Sequence, residues 1–209
     1  MRSFFLVSLF LLNTAFASSS PVQDDIKLQK LLVPFTNMKH VKMAYHEKRF
    51  SMFLKQPREY QGTIEYIYPD LFIKQVLTPV RKKFVINQDQ LTIHSYNSGD
   101  NNKQEQEHSV SLNDYPQFKQ FQTLLSALLQ GDASKLTQYY RYNIYSLSDN
   151  QVRLKLKSHL ADTFTQEQQT SSEHIEIILQ NNLIKKITLF GFGGEKSELI
   201  FYDPEINKE

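Results

Sequence analysis

Apolar and polar residues alternate through most of this chain, and a period of two predicts strands with one buried face. The pattern is clearest from Tyr60 to Tyr96, which divides into four strands at Pro69, at Pro79 and at Asn87-Gln88-Asp89-Gln90. Ile64, Tyr66 and Tyr68 share one face there, opposite Thr63 and Glu65. Phe84 with Ile86 and Leu91 with Ile93 repeat the alternation. Upstream, Val41, Met43 and Tyr45 alternate with Lys42, Ala44 and His46 in a first strand that runs toward Phe50. Downstream come Tyr140-Tyr142-Ile144, Val152-Leu154-Leu156 and Ile175-Ile177-Leu179, then closing strands over Ile184–Phe190 and Glu198–Tyr202. Asn181-Asn182 reads as a hairpin turn, because asparagine tolerates positive φ.

Two segments carry helical rather than strand spacing. Asp24 to Leu32 has apolar residues at Ile26, Leu28, Leu31 and Leu32, with Asp24 or Asp25 placed to cap it and Pro34 to stop it. The second opens at Pro116 after Asp114. Phe118, Phe121, Leu124, Leu125, Leu128 and Leu129 form its stripe, and Gly131 stands at the C-terminal cap. Asp132 is positioned to cap a short helix through Leu136. Polar loops are expected over Asn97–His108 and Asp162–Glu173. No repeat and no Pro/Gly/Ser-rich linker divides the chain, so one mostly β domain with helices across one face is expected.

The first 17 residues change the picture of where that domain works. Arg2, the apolar run Phe4–Leu12 and the small-x-small triplet Ala15-Phe16-Ala17 form a secretory signal, cleaved after Ala17. Residues 18–209 then make the exported domain. The chain has no cysteine, which removes disulfides, thiolate metal sites and a cysteine nucleophile together. Its 24 Lys and Arg against 22 Asp and Glu give a net charge of +2. So small a charge provides no field for nucleic acid.

Candidate chemistry is sparse. The six histidines, His40, His46, His94, His108, His159 and His174, form no HxH, HxxxH or HExxH pair, so no metal ligand set is expected. No GxSxG elbow presents a serine nucleophile, no catalytic residue is named, and no cofactor is implied. Gly191-Phe192-Gly193-Gly194 precedes strand-like sequence rather than a helix, and reads as a strand connection instead of a phosphate loop. The aromatic residues alternate as core positions do. A large apolar sheet without chemistry points to holding a molecule rather than converting one.

The order of these pieces resembles the LolA-like family of outer-membrane lipoprotein carriers. An N-terminal helix leads into MKHVKMAYHEKRF, similar to that family's first strand with its aromatic-x-Gln/Glu element. Gly62, YPDLF at Tyr68–Phe72, Pro79, FVINQDQLTIHSY and IEIILQNNLIKKITLFGFGGEKSELIFYD then follow in matching sequence. The resemblance implies an α+β, mostly β fold: a bent antiparallel sheet forming an unclosed β-barrel with lid helices. It implies a cavity lined by Met43, Tyr45, Ile64, Tyr66, Tyr68, Phe84, Ile86, Leu91 and Ile93, with Phe118, Phe121, Leu125 and Leu128 on the lid. It further implies a periplasmic carrier of an acylated lipoprotein or other lipid, with an inner-membrane donor and an outer-membrane acceptor. The family's arginine before the strand-breaking proline, which bonds the lid, is replaced here by Tyr68, and there is no tryptophan. Those departures leave the cargo open between a lipoprotein and another acylated molecule. Two other readings stand beside the carrier: an envelope protein-interaction module with a filled core, and an enzyme acting on acyl groups.

Overall fold

The computed structural model describes residues 21–96, 105–114, 116–159, 174–191 and 194–208. The leader, the loop over Asp162–Glu173, most of the loop after Asn97, and Phe192-Gly193 lie outside the described residues.

Helix α1 (Pro21–Leu32) leads into β1 (Met38–Phe50), β2 (Arg58–Ile67), β3 (Leu71–Thr78), β4 (Lys82–Asn87), β5 (Gln90–Tyr96) and β6 (Glu105–Ser111). Helices α2 (Pro116–Gln130) and α3 (Ala133–Tyr139) follow. Then come β7 (Tyr140–Ser148), β8 (Gln151–Ser158), β9 (His174–Gln180), β10 (Leu183–Phe190) and β11 (Lys196–Lys208). All eleven strands form one antiparallel sheet in the order β6-β5-β4-β3-β2-β1-β11-β10-β9-β8-β7. Each strand pairs with its neighbours along the chain, except that β6 and β7 stand apart and β11 returns beside β1. The sheet is not closed, since β6 and β7 stand at opposite ends of that order. It is the unclosed antiparallel sheet that the resemblance implied.

The alternation read from the sequence is the alternation observed. Val41, Met43, Tyr45, Ile64, Tyr66, Ile86, Leu91, Leu154, Leu156, Ile177 and Leu179 are all buried and belong to one core. The opposite face is polar and cross-linked: His40 meets Glu65 at 2.7 Å, and His46 and Lys48 meet Glu59 at 3.0 Å. Asn181 and Asn182 have φ of 51° and 62°, the left-handed pair a two-residue hairpin requires. Asp203, at φ 50°, falls at the register shift where β11 slips against Lys42 and Ala44.

Several boundaries differ from expectation. Helix α1 begins at Pro21, so Asp24 and Asp25 lie within its first turns rather than capping it. Proline at the first helical position gives up no intrahelical bond. Strand β6 starts at Glu105, inside the stretch expected as loop. Its EQEHSVS sequence has little strand character, and pairing with β5 from Gln90↔Ser111 to Tyr96↔Glu105 supplies what propensity does not. β11 runs on to Lys208 because β1 pairs with it as far as Met38.

Helix α2 is more deeply placed than a surface stripe implies. Leu124 through Leu129 are six consecutive buried residues. A helix enclosed all round is part of a core. Helix α2 lies at the end of the sheet bearing the β2–β3 and β4–β5 turns, for Gln130 reaches Pro69 and Lys119 reaches Asp89. The β1–β2 and β10–β11 connections lie at the other end, as the pairs Arg49↔Arg58 and Phe50↔Lys196 require.

Candidate functional site

A cavity of about 460 Å³ lies within the curve of the sheet. Phe72, Phe84, Ile86 and Leu91 on β3–β5 face it from one side. Leu156, Ile175 and Leu189 on β8–β10 face it from the other. Strands so far apart in sheet order share one cavity only because the sheet curls. Tyr140 and Leu199 complete the apolar wall. Toward the end bearing the β1–β2 and β10–β11 connections, the lining turns polar with Glu47, Arg49, Ser158, His174 and Ser197, and Lys74 projects from β3.

Glu47 is the centre of this polar group. It continues the inward phase of β1 after Val41, Met43 and Tyr45, and is only 2% exposed. Arg49 donates from Nε to its Oε1 at 2.6 Å, and Ser197 donates from Oγ to the same oxygen at 2.8 Å. Lys74 donates from Nζ to Oε2 at 2.7 Å. Burial alone would push the Glu47 carboxyl up; the Lys74 ammonium and the Arg49 guanidinium outweigh it and hold the group at about 2. Burial lowers Lys74, with the Glu47 charge only partly restoring it. The Lys74 ammonium also lies 4.8 Å from the Tyr45 ring centroid, and the Arg49 guanidinium 4.6 Å from that of Tyr60. Tyr45 is wholly buried, and its hydroxyl has no hydrogen-bond partner among the described residues.

The sequence-derived lining residues divide into three groups. Phe84, Ile86 and Leu91 face the cavity. Met43, Tyr45, Ile64 and Tyr66 lie in the core beneath it, and Ile93 packs against that core partly buried. Tyr68 lies beyond the end of β2, 49% exposed, with the Lys39 ammonium 4.1 Å from its ring centroid. The strand ends at Ile67, so the period of two no longer dictates where Tyr68 points. Of the lid positions, Leu125 and Leu128 are buried in α2 and neither contributes to the cavity wall. The side chains of Phe118 and Phe121 lie outside the described residues.

A tie between helix and sheet exists, though not at Tyr68. Gln130, the last residue of α2, donates from Nε2 to the Tyr66 hydroxyl at 2.7 Å and to the Pro69 carbonyl at 2.8 Å. The Tyr66 hydroxyl in turn donates to the same carbonyl at 2.8 Å. An amide and a phenol thus join α2 to the β2–β3 turn.

Sequence reasoning did not single out Glu47, Arg49, Lys74 or Ser197. Glu47 and Lys74 nonetheless leave a trace: each is a charged residue at an inward position of a strand, in Val41-x-Met43-x-Tyr45-x-Glu47 and in Phe72-x-Lys74-x-Val76. Charges at buried phase require partners from other strands, and here β1, β3 and β11 supply them.

The family model described as outer membrane lipoprotein carrier protein LolA-like matches residues 16–180. No curated protein matches the chain. Among solved structures, a LolA superfamily protein from Nitrosomonas europaea is similar at 10% identity and a TM-score of 0.42, over 88% of this chain and 94% of that one. MucB of Pseudomonas aeruginosa, solved with MucA, is 12% identical with a TM-score of 0.44; 88% of this chain spans 57% of that one. The lipoprotein LppX of Mycobacterium tuberculosis is 7% identical with a TM-score of 0.43, over 91% of this chain and all of that one.

Proposed function

Because the chain belongs to the LolA-like family of outer membrane lipoprotein carrier proteins, we propose that it is a periplasmic carrier that shelters an acyl chain in this cavity. In this role it moves an acylated lipoprotein or other lipid between an inner-membrane donor and an outer-membrane acceptor. The observation that carries the reading is an apolar cavity of about 460 Å³ inside the curl of the sheet. Protein interiors are close-packed and leave few voids larger than a water molecule. A space this large is within the range of ligand pockets, and it counts against a module with a filled core.

The physics of the task agrees with the wall. Each methylene kept from water is worth about 0.8 kcal/mol, so a chain of ten or more cannot cross an aqueous compartment unshielded. An acyl-group enzyme is less well supported. Ser197 hydrogen-bonds a carboxylate held at about 2, which is too weak a base to activate a hydroxyl at neutral pH.

Native mass spectrometry of the gently purified protein tests the reading, and lipid-sized adducts are expected. A fluorescent acyl probe should enter the emptied protein, and Phe84→Asp, which places a charge on the cavity wall, should abolish uptake while the fold persists by circular dichroism. No adduct and no uptake by the unaltered protein would sink the carrier. Hydrolysis of an acyl ester by the pure protein would promote the enzyme instead.

A further inference from the structure

We propose that the Glu47–Arg49–Lys74–Ser197 group is a headgroup site, and that the cavity takes a single-chain amphiphile with an anionic head, a carboxylate or a phosphate. The inference rests on the carrier reading and specifies its cargo.

The first support is the balance of charge. Among the described lining residues Glu47 is the only carboxylate, and it faces two basic side chains, Arg49 and Lys74. One carboxylate neutralises one of them. The remaining positive charge lies at the solvent-reachable border of an apolar wall, where it attracts an anion. A second anion at this point completes the balance.

Donor capacity is the second support. Among the described residues, Arg49 engages an acceptor only through Nε. Its terminal nitrogens form the planar fork that suits carboxylate and phosphate oxygens. The side chain is 50% exposed, so a ligand can reach that fork. Lys74 spends one of its three N–H donors on Glu47. Both cations therefore keep unspent donors beside the cavity.

The layout and the size give the orientation and the chain count. Glu47, Arg49 and Ser197 lie toward the end bearing the β1–β2 and β10–β11 connections. Ile86 and Leu91 lie toward α2, beside the β4–β5 turn. A head held at Arg49 and Lys74 directs its tail inward along Phe84, Ile86 and Leu91. At about 460 Å³ the cavity is toward the small end of ligand pockets, a size that suits one chain with its head.

The test titrates the delipidated protein with dodecanoate, dodecyl phosphate, dodecanol and dodecyltrimethylammonium, following heat by calorimetry, with inorganic phosphate as a separate arm. Either dodecyl anion should bind about tenfold or more tightly than dodecanol, a difference of about 1.4 kcal/mol. The ammonium compound should bind worst. Arg49→Gln should erase the preference for the dodecyl anions over dodecanol. Glu47→Gln removes the internal counter-anion, so it should tighten anion binding, whereas a purely structural cluster would weaken it. Equal binding of all four dodecyl compounds overturns the headgroup site and leaves the carrier standing. No binding of any of them overturns both. Inorganic phosphate binding as tightly as dodecyl phosphate overturns the amphiphile in favour of a small-anion site.

Discussion

Gly62 lies beside the register shift between β2 and β3, and a Cβ built there would stand 1.7 Å from the Gln75 carbonyl oxygen. Two backbones approach so closely at this position that only hydrogen fits. Gly62→Ala must push the strands apart or reshape the bulge, and overpacking of this kind costs about 1–3 kcal/mol. Its urea midpoint should fall with an unchanged slope. Glu47 sets a second residue-scale expectation. Its folded value of about 2 lies below the ordinary 4.5, so folding gains from this carboxylate above about pH 4.5 and loses that gain as pH falls through about 2. Lys74 acts in the opposite sense, because burial penalises its ammonium at neutral pH. A stability loss on the order of 2 kcal/mol between pH 4.5 and 2 is expected, absent in Glu47→Gln. Unfolding curves across that window check it.

At the scale of the element, α2 is held by burial along its second half, by Lys119 on Asp89 near its start and by the Gln130 amide at its end. Gln130→Ala leaves the Pro69 carbonyl to the Tyr66 hydroxyl alone. Loss of such a half-buried hydrogen bond costs about 0.5–1.5 kcal/mol. Faster amide exchange should follow in α2 and the β2–β3 turn, with β8 and β9 unaffected. Leu128→Ala, which opens a cavity inside the helix packing, should cost about 2–5 kcal/mol. Strand phase was legible in the sequence, since alternation at Val41-Met43-Tyr45 and Leu154-Leu156 reports directly which face is buried. The ends of elements were less so. Tyr68 passed for a strand residue because nothing local marks Ile67 as the last of β2. The charged cluster was hidden for a related reason: Lys74, Glu47 and Ser197 belong to three strands, and their meeting depends on the order β3-β2-β1-β11, which no short window contains.

For the whole molecule, one sheet supplies both the core against the helices and the wall of the cavity, so occupancy and stability are linked. A ligand bound only by the folded state adds about 2.7 kcal/mol at a hundredfold excess over Kd. Thermal midpoints should rise with dodecanoate concentration without saturating at one equivalent, and Phe84→Asp should abolish the rise. No helix among the described residues is long and apolar enough to cross a membrane. β6, one of the two outermost strands, is mostly polar and carries Glu105 and Glu107 in its seven residues, which disfavours pairing with a second sheet edge.

The two outermost strands, β6 and β7, do not meet, and this has a consequence for cargo size. A sealed barrel has its girth fixed by strand number and shear. This sheet is a split cuff. Its circumference can grow by small changes of twist shared among all its neighbouring strands, with every ladder bond kept. Swallowing a bulkier chain therefore demands no rupture, only a wider gap between β6 and β7, and the radius of gyration measured by X-ray scattering should increase with the girth of what is held.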